Sequence, residues 1–237
     1  MCALKAQRRE MGKGGKLQSP LLDPDNFPAR LVQVIDLGLQ KNFFDEDKVN
    51  HEIMLTYELV DCFCLDEDGN EVKDKPRWFS EKINLIDLPI GMDLQEIYND
   101  QYRGKAKMVQ RARAFDPKGV HDFDFSQYLS GACAVTIIQK KKKDGTIKNE
   151  VGGVSAPMRG MQIAELVNPP KLFALDEPDM EIFKSLPEWL QDTIKNNLEF
   201  KGSKLEALLS GKDVPQGKPE PQQAPEADGE MDDDIPW

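Results

Sequence analysis

The stretch Gly131-Ala-Cys-Ala-Val-Thr-Ile-Ile-Gln139 decides how the chain is read, because it returns to strand composition after a long helical and loop-like passage. Its β-branched residues suit a pleated, half-buried surface. Lys140-Lys-Lys-Lys-Asp-Gly145 follows as a basic turn, and residues 146–154 then read as the partner strand of a hairpin. Upstream, Asp93 is placed to cap a helix, with Glu96 three residues on and Leu94, Ile97 and Tyr98 at helical spacing before Gly104. A second short helix is expected near Phe125. Three strand-like segments come earlier still. Residues 27–37 are β-branched, end at Gly38 and read as buried on much of both faces. Residues 49–60 set Ile53, Leu55, Tyr57 and Leu59 on one side and Glu52, Thr56 and Glu58 on the other. After the turn Asp66-Glu-Asp-Gly-Asn70, residues 77–85 make the third strand.

The resulting order is β-β-β-α-β-β, which is that of an OB-fold, a five-stranded Greek-key barrel used repeatedly to bind oligonucleotides. The expected fold is therefore mainly β (α+β): an OB-fold-like barrel with a helix between strands 3 and 4, extra C-terminal helices and a disordered acidic tail. Leu186-Pro-Glu-Trp-Leu-Gln-Asp-Thr-Ile-Lys195 reads as one of those helices, with Pro187 in its first turn and Trp189, Leu190 and Ile194 near one face. Residues 204–209 add another turn. The organisation expected is a basic flexible arm over 1–20, the barrel over 21–176, appended helices over 177–210 and a tail over 211–237. Residues 214–225 are rich in Pro and Gln and lack aromatics, so they bury too little surface to offset chain entropy.

Charged residues make up 31% of the chain, and no run approaches the roughly 18 apolar residues that cross a bilayer, so no membrane association is expected. The mean hydropathy of -0.56 points the same way. A net charge of -11 weighs against a nucleic-acid ligand only until its distribution is considered. Residues 211–237 carry eight acids against two bases, which leaves a mildly acidic body able to present a local basic groove. The four cysteines, Cys2, Cys62, Cys64 and Cys133, are too scattered for a disulfide framework and read as reduced thiols.

Enzymatic chemistry finds little support. Gly12-Lys-Gly-Gly15 and Gly152-Gly153 lack the Lys and Ser/Thr of a phosphate-cradling loop. Cys62, Cys64, Cys133, His51 and His121 fall at no zinc-site spacing. No catalytic residue, metal or cofactor is therefore expected.

The chain closes on Met231-Asp-Asp-Asp-Ile-Pro-Trp237. Ile235 and Trp237 form an apolar hook, Pro236 limits its freedom, and Asp232, Asp233 and Asp234 would steer it toward a pocket rimmed with Lys or Arg. This tip resembles the acidic end of bacterial single-stranded-DNA-binding proteins, whose aspartates are followed by Ile-Pro-Phe. It departs in ending on Trp, which keeps an aromatic anchor and enlarges it. The body resembles a family of phage single-stranded-DNA-binding proteins through residues 28–38, 53–59, 123–129 and 186–190. The resemblance implies an OB-type fold, binding of single-stranded DNA in replication, recombination and repair, and recruitment of partner proteins through the tip. The high charge and the lack of a bilayer-length apolar run lead to an expected cytoplasmic location, in the host cytoplasm for a phage-encoded chain. Self-association is compatible with the resemblance. The alternative is a recombination mediator or scaffold that uses the same tail without binding DNA.

Contact residues are read from charge and aromatics. Tyr98, Tyr102, Arg103, Lys105, Lys107, Arg111, Arg113, Phe115 and Lys118 interleave bases with rings, as a sequence-tolerant single-strand groove requires. The turn Lys140, Lys141, Lys142 and Lys143 is a second candidate, because a loop joining OB strands often touches nucleotides. Trp78, Phe79 and Tyr57 are candidate stacking residues on the sheet. The anionic tail is expected to compete with DNA for the basic surface.

Overall fold

The computed structural model describes residues 17–42 and 48–211. Strands β1 (Asp25–Lys41), β2 (Val49–Leu65), β3 (Glu71–Leu85), β4 (Ala132–Lys141) and β5 (Ile147–Ser155) form an antiparallel sheet in the order β3-β2-β1-β4-β5. A three-residue β6 (Lys171–Phe173) joins parallel to β1. The sheet curls into an OB-like half-barrel, with its helical connection between β3 and β4. β1 and β2 each run 17 residues, longer than their apolar alternation suggests. Their ladder continues through polar pairs such as Gln40 with Asn50, since backbone pairing needs no apolar side chain.

Two cores lie on the two sides of β1. On the inner side Leu31, Leu55, Tyr57, Leu59, Val135 and Ile137 close over helices α1 (Leu94–Asn99) and α2 (Lys107–Phe115). On the outer side Ile35, Leu37 and Met54 meet Phe173 and helices α3 (Met180–Ser185), α4 (Glu188–Lys195) and α5 (Lys204–Ser210). Each large apolar side chain so buried contributes on the order of 1.5–3 kcal/mol. β1 serves both cores because bulges between Leu31 and Gln33 and between Asp36 and Gly38 re-aim its side chains. Gly38 takes φ +71°, and a Cβ there would lie 2.7 Å from Leu175 Cδ1 and 2.9 Å from Asn197 Cγ. Only glycine lets the C-terminal layer approach so closely.

The Asp93 cap is a full capping box, and the second short helix expected near Phe125 is a 3-10 helix of four residues, Phe125–Tyr128. The Thr56 and Glu58 face of β2 is buried as well: Thr56 is 1% exposed and Glu58 0%, and the segment between β5 and β6 reaches Glu58. The Glu58 carboxylate accepts from Trp78 Nε1 at 2.9 Å, the Val167 N–H at 2.6 Å and Asn168 Nδ2 at 2.7 Å. Trp189 does not share the buried face of α4: it is 57% exposed, whereas Leu190 and Ile194 are buried. Residues 17–20, read as part of the arm, are laid against the barrel. Gln18 pairs with Leu65, Arg77 NH1 donates to the Pro20 carbonyl at 2.5 Å, and the Asn149 amide grips both backbone groups of Leu22. The remainder of the basic arm and the acidic tail from 212 onward, tip included, lie outside the described residues. Cys62, Cys64 and Cys133 are free thiols. Among the described residues no helix is long and apolar enough to cross a membrane.

Candidate nucleic-acid interface

A curled sheet that does not close leaves two edges, here β3 and β5, whose backbone groups lack a neighbouring strand in the described ladder. They face one another across a groove of about 440 Å³. Trp78, Phe79 and Lys82 come from β3, Lys107 from α2, Lys140 from β4 and Lys148 from β5. The lining draws on both faces of β3 at the seam: Trp78 and Lys82 project on the side of Glu58 and Glu52, and Phe79 on the side of the inner core.

Each groove lysine faces a carboxylate. Lys107 Nζ lies 3.3 Å from Glu81, Lys140 Nζ 3.1 Å from Glu150 and Lys82 Nζ 3.5 Å from Glu52, while Lys148 pairs with the other oxygen of Glu150. Glu81 is fixed from behind. Arg111 Nε and NH2 donate to its two oxygens at 2.6 and 3.0 Å, and Tyr57 Oη donates at 3.0 Å. Burial, followed by the charge of Glu81, pushes the Tyr57 phenol well above its usual range, so it stays a donor. The floor of the groove is therefore rigid, and the lysines at its rim are long and half-exposed.

Of the residues singled out from sequence, Trp78, Phe79, Lys107 and Lys140 come together in this groove. Lys141, Lys142 and Lys143 stand exposed at and beyond the hairpin end, where the Lys142 N–H donates to Thr146. Tyr57, Tyr98 and Arg111 require correction as DNA contacts. They are 0%, 3% and 2% exposed, so no base or phosphate reaches them without opening the core. Tyr98 Oη donates to the Asp116 carbonyl at 2.9 Å, and burial pushes its phenol up to about 12. Phe115 is half-buried and stacks on Tyr128 at 5.7 Å between ring centres.

The rest of that window is at the surface but not in the groove lining. Tyr102 is 77% exposed, Arg103 pairs with Asp100 at 3.6 Å, and Lys105 and Lys118 are exposed. Arg113 reaches back to the Tyr98 carbonyl at 3.4 Å. The window divides because α2 turns about 100° per residue, sending Met108, Val109, Arg111 and Ala112 inward and Lys107 and Arg113 outward. Lys82, Lys148, Glu81 and Glu150 were not singled out. The available signal was the hairpin turn, which sets Lys140 opposite Lys148 once the register is known.

The fold and groove define an OB-like half-barrel whose open seam is lined with lysine and aromatic side chains. The chain matches no protein-family model and no curated protein.

Proposed function

We propose that the protein binds single-stranded DNA, without strong sequence preference, along the groove between β3 and β5. The observation that carries this reading is the convergence of Trp78 and Phe79 with Lys82, Lys107, Lys140 and Lys148 from four different elements. Rings accept any base face, worth roughly 1–3 kcal/mol per stacked base, and ammonium groups follow the phosphates. The acids in the groove temper that attraction, so binding exchanges one set of ion pairs for another. The protein would protect the strand during replication, recombination and repair. The tip with Asp232, Asp233, Asp234, Ile235, Pro236 and Trp237, through its resemblance to bacterial tips, would recruit the proteins that act there.

Fluorescence polarisation with an unstructured oligonucleotide at two salt concentrations tests this reading. Salt-sensitive binding that weakens in a Lys107→Ala, Lys140→Ala double variant is the expected result. Undiminished binding by that variant, or no binding at either salt, overturns it.

A further inference from the structure

Lys140 on β4 and Lys148 on β5 are directly opposed in the hairpin register. Like charges facing one another across neighbouring strands repel. Glu150 lies two residues along β5 from Lys148 and so projects on the same face. It reaches both lysines, with Oε2 3.1 Å from Lys140 Nζ and Oε1 paired with Lys148. Hydrogen bonding, from Lys148 first, holds its carboxyl below the usual carboxylate range. One carboxylate thus divides its two oxygens between two ammonium groups, as the two non-bridging oxygens of a phosphodiester can.

We propose that Lys140 and Lys148 form a phosphate subsite of the groove, in which Glu150 occupies the position that a phosphate of the strand takes when DNA binds. This rests on the reading of the groove as a DNA site. Of the two acids near its centre, Glu81 is unable to give way, since its side chain is 6% exposed and tied to Arg111 and Tyr57. Glu150, with 28% of its side chain exposed, is held by the lysines themselves and swings out when an anion replaces it. It therefore sets affinity: two lysines are kept in place and partly neutralised until a phosphate displaces the carboxylate.

The full chain, Glu150→Gln and a control Glu188→Gln, on α4 outside the groove lining, are titrated with a labelled oligothymidylate over a salt series. Glutamine keeps the shape and removes the competing charge. Glu150→Gln is expected to bind about two- to fivefold tighter at low salt. Its plot of log K against log salt should be steeper by about 0.7–1.4, as one or two further lysines become free to pair with phosphate. Glu188→Gln should match the unaltered chain. Equal or weaker binding by Glu150→Gln with an unchanged slope overturns the subsite while leaving the DNA reading intact. A gain matched by Glu188→Gln overturns it too, as an effect of net charge. If neither the unaltered chain nor Glu150→Gln binds, both readings fall. Replacing chloride with inorganic phosphate at equal ionic strength should preserve the difference between the two chains; erasing it overturns assignment of the subsite to a strand.

Discussion

Arg111 and Glu81 meet in a two-point ion pair inside the barrel, Nε to Oε1 at 2.6 Å and NH2 to Oε2 at 3.0 Å, with side chains 2% and 6% exposed. The pair ties the inner face of α2 to β3 and, through Glu81, positions Lys107 at the rim of the groove. Arg111→Ala leaves a buried carboxylate without its main partner and should destabilise the protein by about 3–5 kcal/mol. Replacing both residues by apolar ones of similar size should cost much less. Urea denaturation of the two variants checks the difference.

Phe79 packs against the inner core and also lines the groove, so its two roles need separating. Phe79→Leu keeps most of the apolar volume and removes the stacking surface. DNA affinity should fall by roughly 1–3 kcal/mol if one base rests there. The melting temperature should move little. Polarisation titration and a thermal melt on the same sample read both quantities.

His51 Nε2 lies 2.8 Å from Asp36 Oδ1. That hydrogen bond, opposed by burial and reinforced by the charges of Asp36, Glu199 and Asp176, raises the imidazole above its usual 6.5. A folded pKa above the unfolded one means that the stabilisation is fully present below the unfolded value and is lost as pH rises through the folded one. The side chain is 42% exposed, so solvent screening holds the effect below roughly 1 kcal/mol. Melting temperatures at about pH 6 and pH 8 should differ more for the unaltered chain than for His51→Asn.

Gly38→Ala places a methyl group against Leu175 and Asn197 in a backbone conformation at φ +71°. Strain and overlap together should cost upward of about 1 kcal/mol. The loss should be concentrated in the outer layer, where limited proteolysis of residues 174–211 would accelerate before the barrel melts.

Much of the fold is legible in the chain because its signals are local. The alternation of Ile53, Leu55, Tyr57 and Leu59 names the inner face of β2, the Asp93 capping box starts α1, and the turn around Gly145 sets the last hairpin. Two helical stretches are less legible. α2 carries a mean polarity that disguises its buried side, and α3 has six residues, too few for a period to declare itself. The burial of Glu58 is not legible for a different reason. Its burial depends on Val167 and Asn168, which reach it from beyond β5.

The sequence by itself determined the succession of strands and helices along the chain, the position of the helical connection, the sites of the main turns and the concentration of acid in the tail. Each follows from the period, turn chemistry or charge of neighbouring residues. Only the tertiary structure decided which candidates line a surface. It turned Tyr57, Tyr98 and Arg111 inward, left Tyr102 at 77% exposure, and gathered Phe79, Lys107, Lys140, Lys148 and Glu150 around one seam. The physical reason is curvature. A sheet that curls without closing brings its first and last edges together, so residues far apart in the chain become neighbours through twist and register rather than local pattern.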